Sequence, residues 1–226
     1  EKVPFVTIGA GNPIPWFEPF HQKGIKCIPV VPNVKLAQRV QAHGADALVV
    51  EGMEAGGHDG KLTLMALLEN VLPDIEIPVI AAGGITDGRG IAASLLMGAS
   101  GVQMGTRFLL AEECSLHPKA KDAIMAAADT DSVVTGFTTG DSVRGLKNRF
   151  SDRYLKAEYS GASPDELSSI SAGTTKRGAL FGDTENGFIL AGMSLTHLTK
   201  IQSAKEIVEE LVSETERRLA AAPGLI

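Results

Sequence analysis

No apolar run in this 226-residue chain approaches the roughly 20 residues that a membrane-spanning helix needs. The opening "EKVPFVTIG" also has none of the charged, apolar and small-residue regions of a secretory leader. Basic runs are missing too. With a net charge of −6 and no lysine or arginine cluster, the chain lacks the stripe that a nucleic-acid surface uses to neutralise phosphates. Cysteine is scarce: Cys27 and Cys114 lie far apart with no CxxC or Cys/His spacing, so no metal site is expected and a reducing cytoplasm is. Cys27, inside "IKCIPVV", reads as a buried thiol. Aromatics make up only 5%, yet 44% of residues are hydrophobic, which excludes disorder and leaves a globular protein with small-molecule chemistry as the default.

What is present is a repeated unit: an apolar β-rich run, a glycine-bearing turn, a helix, then glycine again. The strand candidates are Phe5 to Ile8, Ile25 to Val31, Ala47 to Val50, Pro78 to Ala82 and Gly101 to Met104. Asn33 caps "VKLAQRVQAH" and Gly44 follows it, while Gly98 closes "GIAASLLMG". Such uniformly apolar strands imply a parallel sheet covered on both faces, either an open doubly wound sheet or a closed (β/α)8 barrel. Two turns favour the barrel. "AAGGITDGRG" and "GTRF" follow consecutive strands, and Gly83-Gly84 with Gly105-Thr106 can aim backbone amides at one phosphate, as barrels do after strands seven and eight. No GxGxxG follows a strand.

Counting back from those turns makes Phe5 to Ile8 the fourth strand. The expected fold is therefore an α/β (β/α)8 TIM barrel with a small second lobe, the chain lacking the first three βα units, an N-terminal barrel segment of about 60 to 90 residues. The expected divisions are 1–112 for barrel strands four to eight, 113–185 for the second lobe, and 186–226 for a return segment and C-terminal helix. In the lobe, "GDSVRGLKNRF" reads as polar and basic. Ser203 and Glu206 form a capping box before a helix whose Ile207, Val208, Leu211 and Val212 make one apolar stripe.

"EGMEAGGHDGKL" then falls in the loop after strand six, at the barrel mouth where such enzymes keep their chemistry. Gly56 and Gly57 remove side chains so that a flat ligand can lie against backbone. His58 stands at its edge, able to exchange a proton near neutral pH or hold a carbonyl. Glu51 ends the strand, where its carboxylate accepts from a ligand or a loop amide, or pairs with a lysine. His43, before a C-capping glycine, and His117, before Pro118 in a loop, read as structural. Arg144, Lys147 and Arg149 either meet a phosphorylated partner or form a solvated face.

The stretches "EGMEAGGHDGKLTLM", "IPVIAAGGITDGRG" and "GVQMGTRFLLAEECSLHP", supported by "PVVPNVKLAQRVQAHGADALVVEG" and "SVRGLKNRF", resemble the flavin-dependent enoyl-acyl-carrier-protein reductases of type II and their relatives the nitronate monooxygenases. The resemblance implies an FMN-bearing TIM barrel in a homodimeric enzyme. It carries FMN contacts onto Gly56, Gly57, Ala82, Gly83, Gly84, Gln103, Gly105 and Thr106, with Met193 as a further contact, and makes His58 the active-site histidine; for Glu51, the ligand it could accept from is then the flavin. "AGMSLTHL" departs from the reductases at Met193, where they more often have glutamine. The implied reaction is reduction of trans-2-enoyl thioesters of acyl carrier protein by NAD(P)H, with His58 stabilising developing enolate charge and a monovalent cation required in some members. The alternative is oxidation of alkyl nitronates with oxygen. A third reading is a noncatalytic flavin-binding protein.

Overall fold

The computed structural model describes residues 2–225. Along the chain run β1 (Phe5–Ile8), α1 (Phe17–His21), β2 (Lys26–Val31), α2 (Val34–Ala42), β3 (Leu48–Glu51), β4 (Gly57–His58), α3 (Leu64–Val71), β5 (Val79–Ala82), α4 (Gly88–Leu96) and β6 (Gly101–Gln103). There follow α5 (Pro118–Ala126), β7 (Ser132–Thr135), β8 (Val143–Leu146), α6 (Arg149–Tyr159), α7 (Pro164–Ser171), α8 (Thr174–Phe181) and α9 (Ala204–Ala221). They form two compact units. The first takes the chain up to Met53, Gly60–Gln103 and from Glu214 on; the second takes Glu54–Asp59 and Met104–Ser213. These divisions stand beside the sequence-based ones at 112 and 185.

In the first unit, β1, β2, β3, β5 and β6 lie in sequence order in one parallel sheet. A doubly wound sheet reverses its strand order at a switch point; this one steps steadily in one direction, as a barrel does, and it curls as part of a TIM barrel. The expected strands are all present, with β2, β5 and β6 one residue shorter at one end and β3 moved one residue along at both ends. Leu48, Val49 and Val50 are buried on both faces, the pattern parallel strands require, whereas β1 at the sheet edge alternates exposed and half-buried. Asn33 caps α2 by accepting from the Leu36 amide, and the Asp46 carboxylate ties β2 down by accepting from the Cys27 amide. Cys27 is fully buried, which with the Asp46 charge pushes its thiol pKa up.

The second unit holds an antiparallel sheet in the order β4-β8-β7 and the helices α5 to α8. One apolar cluster joins Leu110, Ile124, Leu146, Ile189 and Leu195. Another is aromatic: the Phe150 ring lies 5.1 Å from Phe188 and 5.9 Å from Tyr154.

Several expectations are corrected here. The polar stretch around Arg144 is the strand β8, with Arg144, Gly145 and Leu146 buried. Sequence patterning missed two helices: α6, which contributes Phe150 and Tyr154 to the aromatic cluster, and α8, which Gly182 ends in left-handed backbone. His117 lies in the loop before Pro118 and is structural as read, being the N-cap of α5 with its Nδ1 accepting from the Lys119 amide. The Ser203–Glu206 capping box forms as read. Of the α9 stripe, Ile207 and Leu211 are buried while Val208 and Val212 are about half exposed, so the buried face is narrower than the sequence suggests.

Candidate functional site

In the first unit the register places Glu51 opposite Ala82 and Ala82 opposite Gln103, one row across the C-terminal ends of three neighbouring strands. The Gly52 amide extends that ladder by donating to the Ala82 carbonyl. Directly after β5, Gly83 and Gly84 both take left-handed backbone, with φ of 103° and 70°. Only glycine does this twice in succession without strain, and the turn carries no side chains. The following helix offers no free N-terminus. In α4 the amides of Arg89 and Gly90 donate to Asp87 Oδ1 and that of Gly88 to Glu214 Oε2. Burial would raise the Asp87 pKa, but the Arg89 hydrogen bond and these amides outweigh it and hold the carboxyl low. Any anion here is left to the glycine turn.

The second unit carries the histidine. Residues 57 and 58 are not loop, as the sequence suggests, but the short strand β4, with Gly57 opposite Arg144 and His58 opposite Val143. The His58 ring is exposed, and its Nε2 lies 3.1 Å from Asp141 Oδ1. Next to it, Asp59 and Arg144 are buried together, with Nη2 to Oδ2 at 3.4 Å and side chains 3% and 5% exposed. Arg144 Nη1 donates to Ser132 Oγ, while Asp59 Oδ1 is buried with no hydrogen-bond partner. Burial dominates both groups: it pushes Asp59 above the usual carboxylate range despite the nearby guanidinium, and pulls Arg144 below the usual arginine value. Arg144 is therefore neither a solvated residue nor a docking cation. Lys147 is exposed, and Arg149 pairs with Glu185.

Gly56 also has a different reason from the one expected. A Cβ there would sit 2.6 Å from the Ala191 carbonyl carbon and 2.7 Å from the Gly192 nitrogen, so the packed backbone by itself requires the glycine. Gly192 returns the contact: its own Cβ would meet the Glu54 oxygen at 2.5 Å. The Met193 amide donates to Glu54 O, and the Gly192 amide to Thr106 Oγ1 at 2.9 Å. Gly57 differs, with a φ of 92° and open space around it. Gly105 has an ordinary φ of −105°, and a Cβ added to it would meet nothing within 4 Å, so the fold itself does not need glycine there. The Thr106 hydroxyl accepts from Gly192, which leaves its proton to donate. Met193 is 40% exposed.

Asp141, the partner of His58, was missed. Its signal was weak: "SVVT" and "VRGL" are separated by the glycine-bearing stretch "GFTTGDS", which allows a hairpin with a long loop, and that hairpin brings Asp141 to β4. Among the described residues, no three His, Cys, Asp or Glu side chains group so as to hold a metal ion, and no helix is long and apolar enough to cross a membrane.

Comparison with known proteins gives a consistent set of relatives. Residues 1–214 match the family model described as nitronate monooxygenase. A probable nitronate monooxygenase of Staphylococcus aureus strain MSSA476 is 35% identical, over 85% of this chain and 57% of its own. That of strain JH9 is 34% identical, over 87% and 58%. The chain thus spans less than two thirds of the length of these relatives. Among solved structures, FabK from Thermotoga maritima superposes with a TM-score of 0.95 at 40% identity, over 99% of this chain and 71% of that one. Nitroalkane oxidase from Streptomyces ansochromogenes gives 0.83 at 29% identity, over 97% and 66%.

Proposed function

Because the chain belongs to the nitronate monooxygenase family of oxidoreductases, we propose that it serves an FMN-dependent enzyme reducing trans-2-enoyl thioesters of acyl carrier protein with NAD(P)H. One observation carries the choice within the family. Identity to FabK, an enoyl-acyl-carrier-protein reductase of type II, is 40% over 99% of the chain, against 29% over 97% for the nitroalkane oxidase. The second reading, nitronate oxidation with oxygen, is supported by the family description and by the Staphylococcus relatives.

The residues fit a flavin mononucleotide. In the first unit Gly83 would present its backbone N–H to an anion with Gly84 shaping the turn beside it, and Glu51, Ala82 and Gln103 would meet the ring from their strand ends. In the second, Gly105 leaves room for close approach, the Thr106 hydroxyl keeps a proton to donate, and Gly57 and Met193 are proposed as further contacts. When bound, FMN supplies the two-electron redox capacity that side chains lack.

The work of His58 follows from where its ring lies, with Nε2 in an exposed ion pair 3.1 Å from Asp141 Oδ1. A carboxyl group beside Nε2 favours the proton on that nitrogen, which leaves Nδ1 as the nitrogen that meets substrate. As imidazolium, Nδ1–H donates to the thioester carbonyl oxygen, where enolate charge develops. As neutral imidazole, Nδ1 accepts, which would suit a nitronate's conjugate acid.

The test is anaerobic stopped-flow spectroscopy of the flavin-loaded protein. Bleaching by NADPH followed by recovery on adding crotonyl thioester supports the reductase. No bleaching by NADPH, with turnover of an alkyl nitronate in oxygen, would overturn it in favour of the second reading.

A further inference from the structure

The Asp59–Arg144 pair is poorly built as a stabilising contact. Removing two charges from water costs several kcal/mol per ion, repaid only by close, fully hydrogen-bonded geometry. Here the contact is 3.4 Å long and one carboxylate oxygen has no partner. Two apolar side chains of similar volume would hold the sheet at least as well. What the pair does have is position. Asp59 follows His58 directly and its amide donates to Ser142 O, while Arg144 lies opposite Gly57 and is braced by Ser132 on β7. β4 is only two residues long, so ladder hydrogen bonds alone fix its register weakly. The residues that flank His58 on either side, Gly57 and Asp59, are thus both held by the hairpin that also presents Asp141.

We infer that the buried Asp59–Arg144 pair is the positioning device for His58, fixing β4 on β8 so that the imidazole meets Asp141 through Nε2 and offers Nδ1. This rests on the reading of His58 as the group that meets substrate. Neither Asp59 nor Arg144 need touch substrate. The groups facing the imidazole and its neighbours are Asp141, Asp59 and Arg144, with Glu54 acting on Arg144 through space.

The test combines Asp59→Asn with a second variant, Asp59→Leu/Arg144→Leu, which removes both charges and keeps the fold if the single change does not. Each is measured for melting temperature, flavin content, kcat and KM, and for the His58 ring proton signals in NMR spectra. The Leu/Leu variant should match or exceed the parent in melting temperature and keep its flavin. Its kcat should fall by about ten- to a hundredfold, the cost of a misplaced reacting group, with KM changed less. The single sharp His58 signal should broaden or split. In a His58→Ala background the same pair of changes should cost nothing further. Unchanged kcat with a lowered melting temperature, or full additivity with His58→Ala, would overturn the inference. If His58→Ala itself leaves turnover unchanged, the functional reading fails instead. The NMR signal then decides the positioning claim alone, and an unaltered His58 spectrum in the Leu/Leu variant sinks it.

Discussion

Gly56 and Ala191 pass backbone against backbone, so closely that a Cβ on Gly56 would lie 2.6 Å from the Ala191 carbonyl carbon. Neither main chain can give way cheaply, because the Met193 amide is bonded to Glu54 and the Gly192 amide to Thr106. Gly56→Ala should therefore destabilise the second unit by about 2 to 4 kcal/mol, as overpacking against rigid neighbours does. Gly105→Ala should leave stability within about 0.5 kcal/mol, since its backbone is ordinary and its surroundings open. If Gly105 serves a cofactor, that variant loses flavin while its flavin-free form melts as the flavin-free parent does. Urea unfolding and bound-flavin absorbance separate the two cases, and equal melting of both variants would contradict the packing argument.

Gly83 combines both demands. With φ at 103° it sits where a side chain is strained whatever the space around it, and Gly84 at 70° follows immediately. Gly83→Ala should cost about 1 to 2 kcal/mol from backbone strain alone. Flavin content should fall further than that loss of stability accounts for. Calorimetry with and without added FMN reads it: a variant whose melting point rises with FMN as much as the parent's would remove Gly83 from the cofactor site.

The sequence announced the first unit well because its signals are local. The alternation of apolar runs, Asn33, Gly44 and the Gly83-Gly84 pair each act within a few residues, and the structure keeps every one of those strands. The second unit was harder, since its contacts join residues far apart in the chain. Nothing near Arg144 in sequence announces that Asp59, 85 positions away, shares its burial. A polar string such as "GDSVRGL" suggests solvent until the partner is known. The same limit applies to Gly56, whose need for glycine comes from Ala191 and not from its own turn. His58 was legible as a candidate through its motif, but Asp141, its ion-pair partner, lies in a loop whose return to His58 depends on pairing 85 residues away in the chain.

Asp46 sets a pH dependence whose sign is fixed by its partners. Burial alone would raise its pKa, but the Cys27 amide at 2.8 Å and His21 Nε2 at 2.9 Å more than offset this and lower it below the ordinary 3.8. A folded-state value below the unfolded one means the stabilisation is fully present above the unfolded pKa and disappears as pH falls through the folded one. Asp46→Ala should thus cost about 1.5 to 3 kcal/mol at pH 7, the range for hydrogen bonds to a charged group. The gap between variant and parent should close on acidification below about pH 4. Denaturant melts at several pH values give the curve, and a gap that stays constant down to pH 2 would exclude Asp46 as its source.

Glu214 does for α4 what a cap normally does from within the helix's own sequence. Its Oε2 accepts from the Gly88 amide at 2.9 Å, and its Cβ lies where a Gly88 side chain would have to go, 2.6 Å from the ideal position. The α4 amides next in line, Arg89 and Gly90, are served by Asp87, so Glu214 is the acceptor for the first. Losing it leaves a half-buried donor unsatisfied and detaches the later turns of α9 from α4. Glu214→Ala should cost about 1 to 2 kcal/mol, and Glu214→Gln, which keeps an acceptor but not the charge that favours a helix N-terminus, about half of that. Gly88→Ala should be worse than either, because Thr215 nitrogen at 2.6 Å allows no retreat. Hydrogen exchange at the Gly88 amide reads the same bond directly. Protection there should fall in Glu214→Ala and survive largely intact in Glu214→Gln, and equal protection in both variants would show that the carboxylate is not what holds the helix end.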